Sequence, residues 1–160
     1  MELGSGYTNP QPTAENSRDI KDCVPYLQER WPKLQAMFQE RTGRQLILTC
    51  TYRSERIQNE LYQQGRRGIP GEKIVTKLDG YTKRSRHNLY PSAALDVAVD
   101  VDPGPGKHIS WDTAAYEPLI GICQELGLRS GADWDMDGDS SDERFIDWPH
   151  IECPVGYDMA

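Results

Sequence analysis

Residues 95–101 read Leu95-Asp96-Val97-Ala98-Val99-Asp100-Val101, with an aliphatic side chain at every second position and Asp, Ala and Asp between them. A period of two is the spacing of a β-strand that buries one face. Asp96, Ala98 and Asp100 therefore fall on the face opposite the valines. Asp102 to Lys107 (DPGPGK) ends the run, because its prolines and glycines cannot extend a paired strand. A half-buried strand in mid-chain needs partner strands and a layer to cover its apolar face, and both are sought on either side of it.

Upstream, Leu46 to Cys50 (LILTC) predicts a second short strand that delivers Thr51-Tyr52-Arg53-Ser54 to its C-terminal end. Ser54 is suited to cap a following helix that buries Ile57, Leu61 and Tyr62 and closes at Gly65. Further back, Ile20, Val24, Leu27, Trp31, Leu34 and Phe38 recur at three- and four-residue steps up to Gly43. Pro25 and Pro32 interrupt this stripe, which predicts either two short helices or one kinked helix. Downstream, Ser110 or Asp112 opens a helix carrying Ala115, Leu119, Ile122, Cys123 and Leu126 and closing at Gly127, with Pro118 favouring a later start. His150-Ile151-Glu152 suits a final strand, and residues 66–86, with Gly68, Pro70, Gly71 and Gly80, a long ordered loop of the kind that carries function. Residues 1–16 have no apolar period and are expected to form an extended arm before a single domain over 17–160. These elements add up to a small α+β domain, an antiparallel sheet with helices packed mainly on one side.

The composition agrees with one soluble domain: 160 residues, 37% hydrophobic and 27% charged. Eighteen basic against twenty-five acidic residues give a net charge of −7, which repels polyanions and argues against nucleic-acid and membrane partners. A monomer is expected. Met1 to Asn16 holds neither a basic start nor an apolar run, so synthesis in the cytoplasm without a signal peptide is expected. Cys23, Cys50, Cys123 and Cys153 show no CxxC spacing, and most of them read as free, buried thiols.

Of three histidines, His87 and His150 sit in short polar segments, Ser85-Arg86-His87-Asn88 and Asp147-Trp148-Pro149-His150-Ile151-Glu152. His108, beside Lys107, has no such setting and is expected to face solvent. Two neutral imidazoles and one carboxylate form a catalytic zinc ligand set that leaves the fourth position for a water of pKa about 7. Four ordered segments match a known pattern: Tyr52-Arg53-Ser54 with Gln58 and Leu61-Tyr62, then Ser85-Arg86-His87, then Ala94-Leu95-Asp96-Val97, then Asp147-Trp148-Pro149-His150. Over about residues 45–155 the chain resembles the zinc peptidases that cut peptidoglycan stem peptides. These are D-alanyl-D-alanine carboxypeptidases and L-alanyl-D-glutamate endopeptidases, in the wider group that includes the hedgehog signalling domain.

The resemblance implies a zinc at the sheet's edge held by His87, Asp96 and His150. It implies Asp147 as general acid and base, Arg53 as holder of the oxyanion, and Ser85 and Gln58 as substrate-positioning groups. Glu152 would orient His150. The implied activity is zinc-dependent cleavage between L-alanine and D-glutamate by a phage endolysin acting on the wall after release, with D-alanyl-D-alanine as the second bond. The commonest form of the pattern has seven residues from histidine to aspartate, whereas His87 to Asp96 is nine. A bulge is therefore expected over Asn88 to Ala93, and Asp100, on the same strand face, remains an alternative ligand. Taken singly, Arg53 suits a surface ion pair, Asp147 a cap, Ser85 a turn hydroxyl and Gln58 an exposed helix amide. A non-catalytic zinc module and a calcium-binding interaction protein are the rival readings.

A second signal is Asp133-x-Asp135-x-Asp137-Gly138-Asp139, the first half of an EF-hand-like calcium loop. The twelfth position is Arg144 rather than Glu, so the loop is not a full EF-hand. Calcium and a solvated acidic loop are both compatible with it.

Overall fold

The computed structural model describes residues 7–102 and 104–154. Residues 1–6 of the expected arm, Pro103 in the strand-ending loop and the last six residues of the expected domain lie outside that range. In chain order the elements are α1 (Pro25–Thr42), β1 (Gln45–Cys50), α2 (Glu55–Gln63), β2 (Ala94–Asp100), β3 (Ile109–Ser110), α3 (Pro118–Leu126), β4 (Arg129–Ser130) and β5 (His150–Glu152). The strands form one antiparallel sheet in the order β1-β2-β5-β4. β2 is central: β1 runs along one side of Asp96 to Asp100, β5 pairs with Ala94 to Asp96, and β3 pairs with Val99 and Asp100.

The alternation in β2 is the reason the layers stack as they do. Leu95, Val97 and Val99, with Leu46 and Ile151, join Leu27, Leu34 and Phe38 of α1 and Leu119 and Ile122 of α3 in one buried core. Each such side chain contributes about 1.5–3 kcal/mol by leaving water. α1 is a single helix of 18 residues that passes through Pro32, with Pro25 in its first turn and Gly43 left-handed at its end. α3 begins at Pro118, where a missing N–H costs nothing; Asp112 instead caps a separate 3-10 turn, Thr113–Ala115, and Ser110 belongs to β3.

α2 departs from expectation. Ser54 caps it, its hydroxyl accepting from the Ile57 N–H, but Ile57, Leu61 and Tyr62 are only half-buried, and Gln58 is the buried side chain. The helix ends at Gln63, before Gly65. The cause is tertiary: the loop over residues 64–85 folds back on this helix. Gly80, at φ +87°, approaches so closely that a Cβ would lie 2.7 Å from the Glu55 carbonyl oxygen.

Residues 7–16 form no helix or named strand, yet they are bound along their length. Asp22, fully buried, accepts from the Thr13 hydroxyl and the Ser17 hydroxyl, both at 2.6 Å, and from the Asn9 amide at 2.9 Å. All four cysteines are buried. Among the described residues no helix is long and apolar enough to cross a membrane.

Candidate metal centre and its cleft

Asp96 of β2 lies directly opposite His150 of β5 in the antiparallel register. Opposed residues share a sheet face, so the face that β2 turns away from the core acquires a carboxylate and an imidazole side by side. The site thus sits over the central strand and its neighbour, whereas the sequence placed it at the sheet's edge. His87 comes from outside the sheet, on the 3-10 turn Arg86–Asn88. Ser85 caps that turn: its hydroxyl accepts from the His87 N–H at 3.2 Å, and Asn88 Oδ1 accepts from the Ser85 N–H at 2.8 Å. The longer connection from His87 to Asp96 contains the cis Tyr90–Pro91 peptide and leaves β2 regular.

His87 Nε2 lies 3.1 Å and His150 Nδ1 3.3 Å from the same Asp96 oxygen, Oδ1. The remaining ring nitrogens decide the protonation pattern. His87 Nδ1 is 2.7 Å from the Thr51 carbonyl oxygen, which only accepts, so Nδ1 carries hydrogen and donates. His150 Nε2 is 2.9 Å from the carboxylate of Glu152, to which it donates. Glu152 is itself buried and held by Arg129 at 2.9 Å and Arg86 at 3.4 Å. With both imidazoles neutral, each would turn its lone pair toward Asp96, and the three donor atoms would converge as a cation requires. In the metal-free protein burial disfavours the charged imidazoles, but Asp96 outweighs it for His87, and Asp96 with Glu152 for His150, pulling them up to about 10 and about 9. Burial likewise opposes the Asp96 charge, and the two imidazoles overcome it, holding its carboxyl well below the usual range.

Cys50 enters the site without any sequence signal. Cys50, His87 and Asp96 also form a group of donors close enough to hold a metal ion. A register shift between Leu48 and Cys50 turns the cysteine to the Asp96 side, where it becomes that residue's cross-strand partner. Its thiol lies 3.8 Å from His87 Nδ1, the nitrogen already committed to Thr51, and 3.4 Å from the Arg53 guanidinium.

Arg53 leaves the end of β1. Its Nη2 is 3.3 Å from Asp96 Oδ2, and its Nη1 donates to Gln58 Oε1 at 3.0 Å. Gln58 Nε2 donates to the Leu78 carbonyl at 3.0 Å. Gln58 is thus buried and engaged at both ends of its amide, and its contact is to Arg53. Asp100, the alternative ligand, accepts from the Asp102 and His108 N–H groups at the other end of β2. His108 is exposed, as expected.

Asp147 lies in the turn before β5, where its N–H donates to the Gly131 carbonyl at 2.8 Å and its carbonyl accepts from the His150 N–H at 3.0 Å. Burial pushes its carboxyl above the ordinary value, against the opposing pull of His150. Arg53, His87, Asp96, Asp147 and His150 line one cavity of about 540 Å³. Val75 and Leu78 from the long loop and Trp134 and Phe145 near Asp147 supply apolar wall.

Beside the cleft, Asp133, Asp135 and Asp137 converge, but Asp139 does not join them; its carboxylate accepts from Ser141. Asp135 forms a second group with Asp142 and Glu143, which the EF-hand spacing did not select. A hydrogen bond shared with Asp137 and the crowding of carboxylates push Asp142 up to about 6. The Trp134 indole N–H donates to the Phe145 carbonyl at 2.7 Å and closes the base of this loop.

No family model matches the chain. In sequence it is 31% identical over 119 residues to the peptidoglycan L-alanyl-D-glutamate endopeptidase CwlK of Bacillus subtilis (strain 168), covering 69% of this chain and 61% of that protein. Over that stretch the chain is similar in sequence to this endopeptidase. It spans about three fifths of that curated relative's length. Among solved structures, the L-Ala D-Glu endopeptidase ChiX of Serratia marcescens aligns with a TM-score of 0.49 and 18% identity, over 88% of this chain and 87% of that one.

Proposed function

We propose that the protein is a zinc peptidase that hydrolyses the amide between L-alanine and D-glutamate in peptidoglycan stem peptides, with His87, Asp96 and His150 as metal ligands. The supporting observation is the pair of fixed tautomers, which aim His87 Nε2 and His150 Nδ1 at one Asp96 oxygen. Two imidazole nitrogens and one carboxylate oxygen are a ligand set of hydrolytic zinc. A zinc ion held there supplies Lewis acidity, polarising a carbonyl oxygen and acidifying water. Asp147 takes the proton from the attacking water on its carboxylate and gives it to the departing amine nitrogen. Its mostly buried position keeps the carboxyl a better proton carrier than an exposed aspartate would be. Arg53 occupies the outer oxygen of Asp96, leaving the inner one to the metal, and sets positive charge where the carbonyl oxygen becomes anionic. Lys77 and Arg84 on the cavity wall favour an acidic peptide on a chain of net charge −7. On this reading the enzyme meets its substrate in the cell wall.

The test is digestion of purified peptidoglycan by wild type, chelated wild type and Asp147→Ala, with fragments identified by mass spectrometry. Loss on chelation, recovery with zinc, an inactive variant and new amino-terminal glutamate are the expected results. Released D-alanine would move the cut to the second bond, and no cleavage by zinc-loaded protein would overturn the reading. For the acidic loop we infer calcium, because convergent carboxylate oxygens suit a hard cation. A calcium titration without heat and without a rise in melting temperature would remove it.

A further inference from the structure

We propose that the segment Glu15–Ser17, which straddles the boundary expected between arm and domain, is a positioning element for Arg53. The inference rests on the role given to Arg53 in the proposed hydrolysis. β1 ends at Cys50, and residues 51–54 continue beyond its pairing with β2. Their inner side is fastened to the turn carrying His87: the Arg53 N–H donates to the His87 carbonyl at 2.9 Å, and the Asn88 amide donates to the Arg53 carbonyl at 2.8 Å. Their outer side is fastened to Glu15–Ser17. Thr51 N–H donates to the Ser17 carbonyl at 2.7 Å, Ser17 N–H to the Tyr52 carbonyl at 2.8 Å, and Ser54 N–H to the Glu15 carbonyl at 2.7 Å. Asn16 forms a β-bridge with Arg53 itself.

Side chains lock the same contact. Glu15 Oε2 accepts from the Ser54 hydroxyl at 2.8 Å and from Arg56 Nε at 3.0 Å. Ser54 is also the N-cap of α2, so Glu15 ties the start of that helix to the segment. Gln58, one turn further along α2, receives the Arg53 guanidinium. The direction of Arg53 thus depends on the angle between the end of β1 and the start of α2, which Glu15–Ser17 spans. The Ser17 hydroxyl is anchored in turn on buried Asp22. None of the three residues lines the cavity, so they act through Arg53.

A double-mutant cycle tests this: wild type, Glu15→Ala, Ser17→Ala, Arg53→Ala and each pair with Arg53→Ala, assayed zinc-loaded on a stem peptide, with zinc affinity and melting temperature followed in parallel. Misplacing a catalytic group by about an ångström can cost up to about a hundredfold. We expect kcat to fall about tenfold in Glu15→Ala and Ser17→Ala with KM within about twofold, and no further loss when either is added to Arg53→Ala. Glu15→Gln, which keeps an acceptor for Ser54, should recover part of the activity. Losses that add fully to that of Arg53→Ala, or kcat unchanged in both single variants, would overturn the proposal. If zinc-loaded wild type cuts no stem peptide, the hydrolase reading falls separately. Amide exchange then decides the positioning: faster exchange at Arg53 and Ser54 in Glu15→Ala supports it, and unchanged rates overturn it.

Discussion

Glu152, on the wall of the cavity, shows how one side chain can set the state of its neighbour. Its carboxylate fixes which nitrogen of His150 carries hydrogen, and against burial His150 itself, with two arginines, keeps that carboxylate ionised and in place. Glu152→Ala should therefore lower zinc affinity about ten- to a hundredfold while the chain stays folded, as read by chelator competition beside circular dichroism. Unchanged affinity would mean that His150 does not ligate through Nδ1. In the metal-free protein the two imidazoles are held at about 10 and about 9, so zinc binding near neutrality displaces protons and apparent affinity rises with pH. Calorimetry in two buffers of different ionisation heat should show the release. At this scale the sequence singled out His87, Asp147 and His150 in short polar segments and Asp96 on the polar face of a strand, and the structure brings the four to one cavity. Cys50 was not singled out, since its place beside Asp96 comes from a register shift that an apolar run cannot announce.

Between β4 and β5 the chain makes its closest approach at Gly131. A Cβ there would lie 2.1 Å from the Asp147 carbonyl oxygen and 3.0 Å from the His150 side chain. Gly131→Ala must displace the turn that carries both groups, so it should lose hydrolytic activity and about 1–3 kcal/mol of stability, checked by turnover and thermal melting. Elements with several repeats of their period were readable in advance, α1 over five turns and β2 over its alternation, and β1 was read from a short apolar run. β4, with two residues, carries no period at all. α2 was recognised from its cap but its inner face was misassigned, because a folded-back loop, rather than the sheet, chooses Gln58 for burial.

Across the molecule, Asp22 joins the N-terminal segment to the domain and sets an acid limit on that union. Burial raises its carboxyl pKa, but hydrogen bonds from Ser17, Thr13 and Asn9 lower it further, and the net shift is downward. A carboxyl lowered on folding contributes fully above its unfolded value, about 3.9, and that contribution is lost as pH falls through the folded value. Asp22→Asn should cost about 1–3 kcal/mol at neutral pH, and the gap to wild type should narrow as pH falls below the ordinary carboxyl value. Melting curves of the two proteins across that range check it; a gap that does not change with pH would mean the charge of Asp22 is not what holds the segment.

The sequence by itself determined the class of fold, through a period of two in β2 and periods of three and four in α1, since local spacing decides which face is apolar. It also supplied the candidate donor groups, because imidazole and carboxylate keep their chemistry wherever the chain carries them. Only the tertiary structure decided their use. Antiparallel register sets Asp96 against His150, backbone and carboxylate partners choose each tautomer, and residues far apart in sequence confine Arg53. Those are relations across the chain, governed by hydrogen-bond geometry and burial, and no local pattern encodes them.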